Sequence, residues 1–209
     1  MELSPALAKY FGMPDSSLCG MMPVLVKTRR PGRNRGRRTL ARVMNEMSFR
    51  VGIEIGTCRG ESALEWCGAI PDLQLTCVDA YAPYNANARQ DRLDQWHSKA
   101  QQRIADSGFN IDLWRMSSRD AVSRFEDESV DFVYIDGDHS FDTVMMDLLQ
   151  YAPKVRHGGL IALHDYFRSR GGGVMEAVDA YTRHHAVSPW YVTYDLAPTA
   201  FWQRGAEQV

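Results

Sequence analysis

Val51-Gly52-Ile53-Glu54-Ile55-Gly56-Thr57-Cys58-Arg59-Gly60-Glu61-Ser62 decides how the chain is read. Four of its first five residues are apolar and three are β-branched, too short a run for a helix, and they predict a buried strand. A helix is expected over Glu61–Ala69. Between them Gly56 and Gly60 bracket a tight turn whose backbone can approach a ligand closely. This is not the G-x-G-x-x-G pattern of dinucleotide sites. Cys58 stands where that pattern needs its second glycine, and its Cβ would crowd a diphosphate but not a ligand without phosphates. Glu54, just before the turn, would repel phosphate and could accept hydrogen bonds from an ammonium group. The plainer alternative is a polar residue closing the strand.

Outward from this turn, strand and helix alternate. Further strands are predicted at Leu73–Val78, Ile111–Met116, Val130–Ile135 and Gly159–His164, and helices at Arg89–Asp106, Ser118–Arg124 and Phe141–Tyr151. Near-continuous apolar strands separated by helices imply a parallel sheet covered on both faces, an α/β doubly wound fold. After the fifth strand, a helix at Val174–His184 leads to Trp190–Leu196 and Thr199–Gln203, split only by Ala197 and Pro198. So short a link suits a hairpin and antiparallel strands at the sheet edge.

Upstream, residues 1–38 read as an extension carrying a basic loop, with the main domain spanning 39–209. Residues 1–26 show no firm pattern. Lys27–Arg38, KTRRPGRNRGRR, holds seven basic residues in twelve, with Pro31, Gly32 and Gly36 opposing regular structure. An amphipathic helix is expected at Thr39–Phe49, where Leu40, Val43, Met44 and Met47 share one stripe.

Asp79 ends the second strand about twenty residues beyond the turn. An acid there in a doubly wound fold reaches ribose hydroxyls, and the alternative is a helix N-cap. Acid, glycine turn and second acid select a nucleoside with an amino-acid tail and no phosphate, which describes S-adenosylmethionine. The fourth strand ends in Asp136-Gly137-Asp138-His139 and the fifth in His164-Asp165-Tyr166. Parallel neighbours would bring five ionisable side chains to one crevice, costly to bury without a task or a metal. His139 is the first candidate for general base, with Asp138 and His164 behind it, while Asp138 and His139 could instead cap the following helix. Asp136 and Asp165 supply two carboxylates for a divalent cation. Tyr166 is expected to pack over the methionine end. Arg170–Gly173 reads as a hinge or a loop, and Tyr81, Tyr84, Asn85 and Asn87 as a polar loop beside the cofactor.

The formal charge of −2 over 209 residues gives no global attraction to nucleic acid or anionic membrane. No apolar run approaches the roughly 20 residues that cross a bilayer, and the N-terminus lacks signal-peptide order, so a cytoplasmic protein is expected. Cys19, Cys58, Cys67 and Cys77 show no metal spacing and are expected as free thiols. Met21, Met22 and the N-terminal helix could join a homodimer.

At this point the chain resembles the class I S-adenosylmethionine-dependent methyltransferases. Within them it is similar to a small-molecule branch of macrocin-type sugar O-methyltransferases and cephalosporin-hydroxylase-like proteins. The resemblance runs from about Thr39 to Arg204, on VGIEIGTCRGES, LTCVDAYAPY, VDFVYIDGDHSFDTVMMDL, YAPKVRHGGLIALHDY and GVMEAVDAY. It implies a Rossmann-like sheet of seven strands, the last two forming the hairpin. It places Glu54, Gly56, Thr57, Gly60 and Ser62 at the methionine end, and Asp79 and Ala80 at the ribose. Ser117 and Ser118 fall near the adenine, where many relatives carry an acid or a Gly-Asp pair, and Asp136 completes the cofactor set. For the metal it implies an aspartate and a pair of acids. His164 replaces the first acid of that pair, so the set here is Asp136, His164 and Asp165, better suited to Mn²⁺, Fe²⁺ or Zn²⁺ than to Mg²⁺. The expected activity is methylation of a hydroxyl on a small molecule. A nucleic-acid methyltransferase using Lys27–Arg38, and a non-catalytic nucleoside-binding scaffold, are the alternatives. A nicotinamide dehydrogenase is disfavoured by Cys58 and Glu54.

Overall fold

The computed structural model describes residues 3–11, 23–27, 35–83, 87–168 and 173–205. Expectations for Cys19, Met21, Met22, Pro31, Gly32, Tyr84, Asn85 and Arg170 fall outside them. The helices are α1 Leu3–Phe11, α2 Arg35–Glu46, α3 Glu61–Ala69, α4 Gln90–Ser107, α5 Ser118–Ala121, α6 Phe141–Tyr151 and α7 Val174–His184. The strands are β1 Val24–Lys27, β2 Val51–Ile55, β3 Gln74–Asp79, β4 Ile111–Arg115, β5 Val130–Ile135, β6 Val155–Leu163, β7 Tyr191–Tyr194 and β8 Ala200–Gln203.

One sheet contains them in the order β1-β7-β8-β6-β5-β2-β3-β4. The chain lays β3 and β4 on one side of β2, then returns to place β5 on the other. That reversal opens a crevice beyond the carboxyl ends of β2 and β5. β5 pairs in parallel with both β2 and β6, so the residues following β2, β5 and β6 emerge at one edge. The strand count is eight rather than seven, because β1 adds to β7 in parallel, Val24 opposite Tyr191. Four residues carry too little periodicity to be read beforehand. The hairpin forms, but only β8 runs against its neighbours β6 and β7, and β1 rather than the hairpin takes the edge.

Alternation along β5 divides the core. Phe132 and Tyr134 face one layer with Leu40, Met44, Trp66 and Phe201, and Val133 and Ile135 face the other with Val144, Leu148, Val178 and Trp202. Burying each such side chain contributes roughly 1.5–3 kcal/mol. Phe132 stacks between Phe49 and Trp66, and Gly52 opposite leaves room for it, since a Cβ there would lie 2.3 Å from the ring. Leu3, Leu7, Phe11 and Val26 share the first layer, so the described part of residues 1–38 builds into the same core as the main domain.

Helix α2 starts four residues before the expected Thr39, inside the basic run. Tertiary partners outweigh the poor propensity of Gly36: its amide donates to Asp195 Oδ2 at 2.7 Å, and a Cβ there would strike Thr193. Arg37 and Arg38 both pair with Glu65 of α3, at 2.8 and 2.9 Å. Arg37 is buried, so this end of the run belongs to the interior. Among the described residues no helix is long and apolar enough to cross a membrane, and Cys58, Cys67 and Cys77 are free thiols.

Candidate active site

The crevice is a cleft of about 760 Å³ at the carboxyl ends of β2, β3, β4, β5 and β6. That size suits a small-molecule ligand. Its floor is the turn from Gly56 to Gly60. Gly56, Cys58 and Gly60 all take positive φ, at 88, 51 and 79°. A Cβ on Gly56 would lie 2.1 Å from the carbonyl oxygen of Asp136, so the two loops approach closely only because this residue has none.

Three amides of the turn are already engaged. Gly56 N–H donates to Val78 O at 2.8 Å, Gly60 N–H to Thr57 O at 2.8 Å and Cys58 N–H to Asp79 Oδ2 at 2.8 Å. Asp79 Oδ1 accepts from Tyr81 N–H at 2.9 Å, and Tyr81 Oη–H donates to Cys58 O at 2.9 Å. Asp79 thus ties the β3 end to the glycine turn while lining the cleft, and each of its oxygens keeps a second acceptor site. Tyr81, expected in a polar loop, is buried against Leu93 and Ala100 instead.

Gly56, Thr57, Ser62, Ala80, Ser117, Ser118 and Asp136 line the cleft, but Glu54 and Gly60 do not. Glu54 is fully buried beneath it, accepting from Trp66 Nε1–H at 3.3 Å and Cys77 Sγ–H at 3.6 Å. Burial pushes its carboxyl up to about 7, against the pull of Ser62 and Arg37. Strand alternation turns the Glu54 side chain into the Trp66 layer, while Ser62 and Arg37 reach the cleft wall.

At the other end β5 and β6 deliver Asp136, Asp138, His139, His164 and Asp165 to the same cleft. His164 Nδ1 lies 3.3 Å from Asp136 Oδ1 and 3.2 Å from Asp165 Oδ1. Burial would lower its pKa, but the two carboxylates outweigh burial and raise it to about 9, so it is an imidazolium at neutral pH. His139 is the more open of the two, its side chain 42% exposed against 9%. Its Nε2 stands 3.6 Å from Asp136 and 3.7 Å from Asp165, ion-pair distances too long for hydrogen bonds. Asp136 is the main influence raising its pKa. Asp136 itself is held low by His139 and His164 in spite of burial.

Ligand atoms of Asp136, His139 and Asp165 converge within 4.8 Å of one another. The imidazole of that group is His139, whereas the expected set took His164. Asp138 is engaged elsewhere: its oxygens accept from Ser140 N–H at 3.3 Å, Ser140 Oγ–H at 2.9 Å and Thr143 Oγ1–H at 3.1 Å, which ties the loop after β5 to the first turn of α6 without capping its amides. Tyr166 does not cover the cleft. Its hydroxyl donates to Asp179 at 2.6 Å and its ring meets Trp190 edge-on. Gly173, at the end of the expected hinge, donates its amide to His139 O at 2.6 Å.

Arg37 and Asp147 are among the lining residues that were not anticipated. Arg37 reaches it from α2, and nothing in its glycine- and proline-rich surroundings announced this. Asp147 reaches it from α6 and is 1% exposed. A carboxylate in the apolar stripe Val144–Leu148–Tyr151 was the available signal.

The geometry has counterparts among solved structures. The O-methyltransferase from Bacillus cereus in complex with SAH matches at 14% identity with a TM-score of 0.62, covering 84% of this chain and 83% of that one. The O-methyltransferase TomG from Streptomyces achromogenes, involved in tomaymycin synthesis and in complex with SAM, matches at 16% identity and a TM-score of 0.60, covering 97% and 89%. The O-methyltransferase NovP matches at 17% identity and a TM-score of 0.63, covering 80% and 77%. At these identities the likeness establishes the shared fold. No curated protein matches the chain in sequence. A family model described as a methyltransferase domain matches residues 53–166. That span takes in the glycine turn, Asp79 and both acidic clusters, and it covers more than half of the sequence, so the chain belongs to the methyltransferase-domain family.

Proposed function

We propose that the protein transfers a methyl group from S-adenosylmethionine to a hydroxyl of a small molecule. One observation carries the choice of donor: the amides of Gly56, Cys58 and Gly60 are spent inside the turn. In a dinucleotide site such amides hold the pyrophosphate. In this turn those three amides are taken and a Cβ stands at Cys58, which fits a nucleoside with an amino-acid tail. S-Adenosylmethionine supplies an electrophilic methyl on a sulfonium when bound.

In this reading Asp79 takes the ribose hydroxyls with its free acceptor sites. Gly56, Thr57, Gly60 and Ser62 form the bed for the amino-acid tail, with Ala80 beside the ribose, Ser117 and Ser118 towards the base, and Asp136 near the sulfonium. Glu54 acts from beneath, through Ser62, rather than by touching the ligand. Arg37 is the charge complement for the tail's carboxylate, since its guanidinium has donors beyond those that Glu65 uses.

His139 accepts the proton of the acceptor hydroxyl, being the open imidazole of the crevice. His164 is a weaker candidate because it is buried and ion-paired with Asp136 and Asp165. Asp138 positions α6. The reading as an O-methyltransferase draws further support from the three structural neighbours, each an O-methyltransferase.

A divalent cation is the second reading of the crevice, favoured by the convergence of Asp136, His139 and Asp165. Two carboxylates with an imidazole suit Mn²⁺, Fe²⁺ or Zn²⁺, which would polarise the acceptor hydroxyl. The readings separate by experiment: with His139 as base, transfer persists in excess chelator; with a cation, chelation abolishes it and Mn²⁺ restores it.

Calorimetry tests the donor. S-Adenosylhomocysteine is expected to bind, NAD⁺ is not, and Asp79→Asn is expected to weaken binding about tenfold or more, the value of a hydrogen bond to a charged group. NAD⁺ binding with no S-adenosylhomocysteine binding would refute the proposal.

A further inference from the structure

Helix α6 brings a further carboxylate to the cleft beside the loop that carries His139. Asp138, the residue before His139, accepts from Thr143 Oγ1–H at 3.1 Å, and Asp147 follows Thr143 by one helical turn. Asp138, His139, Thr143 and Asp147 all line the cleft. Asp147 is 1% exposed, and its Oδ1 has no hydrogen-bond partner among the described residues. Leaving a buried charged acceptor unmatched is costly, and such a group calls for a partner that is not part of the chain.

The groups acting on Asp147 define the missing partner. Burial is the largest influence and pushes its carboxyl up to about 6, Ser118 pulls the other way, and Asp138 raises it further by like charge. No basic side chain is among them. Asp136 and Asp165, by contrast, each have both His139 and His164 within 3.7 Å. Asp138 keeps acceptor capacity, since its Oδ1 accepts one bond among the described residues, from Ser140 N–H at 3.3 Å. A neutral donor would leave the repulsion between the two carboxylates uncompensated, whereas a cation offsets it. A metal ion is less suited. Among the described residues the ligand atoms that converge within 4.8 Å belong to Asp136, His139 and Asp165. An ammonium needs no such convergence, because its three N–H donors point in separate directions.

Building on the O-methyltransferase reading above, we infer that Asp147, with Asp138 acting beside it, binds an ammonium group of the methyl acceptor, so that the substrate is a hydroxylated amine. The ammonium is anchored on the same loop-and-helix unit that carries His139, the base for the acceptor hydroxyl. One molecule then engages both: its charge on Asp147 and its hydroxyl towards the imidazole. Ionised carboxylates offer acceptors only, so they take the ammonium and give nothing to an amide carbonyl in its place.

The test is calorimetry of the full chain saturated with S-adenosylhomocysteine, using tyramine, glucosamine and the N-acetyl form of each. Acetylation removes the charge and keeps the hydroxyls. At least one amine is expected to bind about tenfold to a hundredfold more tightly than its acetylated form, the worth of one hydrogen bond to a charged group. Asp147→Asn is expected to narrow that ratio to about threefold or less, because the carboxamide carries no charge, and to change S-adenosylhomocysteine affinity by less than about threefold. The inference is overturned if neither amine is preferred over its acetylated form. So it is if Asp147→Asn retains the full preference, the result if Asp147 serves only to hold Ser118. A tenfold or greater loss of S-adenosylhomocysteine affinity in Asp147→Asn overturns it too, since the carboxylate would then serve the donor. The unaltered protein's ratio decides the matter by itself should the variant not fold. Failure of S-adenosylhomocysteine to bind at all overturns the donor reading and this inference together, whereas binding without amine preference overturns this inference alone.

Discussion

Replacing His139 by alanine is expected to lower kcat by about 10²–10⁴-fold, the usual contribution of a positioned general base, with S-adenosylhomocysteine affinity changed by less than about threefold. The split follows from position. His139 stands beside Asp136 and Asp165 after β5, while Asp79 and the glycine turn follow β3 and β2. The proton-accepting form is the neutral imidazole. Because Asp136 raises the pKa of His139, the acid limb of the rate profile is expected above the ordinary imidazole value of about 6.5. The sign is fixed: below that limb the ring already carries its proton, and the rate falls about tenfold per pH unit. Asp136→Asn removes the main raising charge and is expected to move the limb to lower pH. Rate profiles of the unaltered protein and the two variants check this, and an unchanged kcat in His139→Ala would remove His139 from the chemistry.

Gly56→Ala is expected to destabilise the fold by about 3–5 kcal/mol and to weaken S-adenosylhomocysteine binding by more than about tenfold. Two costs add. A φ of 88° strains any residue with a Cβ by roughly 1–2 kcal/mol, and the new methyl would meet the Asp136 carbonyl at 2.1 Å, an overlap worth roughly 1–3 kcal/mol or more. Neither neighbour is a flexible side-chain tip, so the β2–α3 and β5–α6 loops must part, widening the floor of the cleft. At about 2–4 °C per kcal/mol for a chain of this size, thermal melting should fall by roughly 10 °C. Gly68→Ala is the control: it lies inside α3, a Cβ there would meet only Phe109 at 3.9 Å, and the exchange is expected to be neutral or stabilising. Equal melting temperatures for Gly56→Ala and the unaltered protein would show that the loops do not depend on this contact.

The sequence by itself determined the parts that local pattern encodes. Short apolar β-branched runs gave β2 and β5 at their observed bounds, and 3.6-residue periodicity did the same for α6. Strand–helix alternation then required a parallel sheet whose strand ends share an edge, so Asp79, Asp136, His139, His164 and Asp165 could be placed in one crevice before any coordinates. Tertiary structure alone decided what depends on distant partners. Strand β1 exists because β7 offers an edge, and α2 begins at Arg35 because Glu65 and Asp195 hold its first turn. The direction of Glu54, the bonds of Asp138 to Ser140 and Thr143 and the unpaired Oδ1 of Asp147 are matters of which layer a side chain enters and which donors already occupy it. Residue type and spacing do not carry that information, because hydrogen-bond partners far apart in sequence are chosen only when the elements pack.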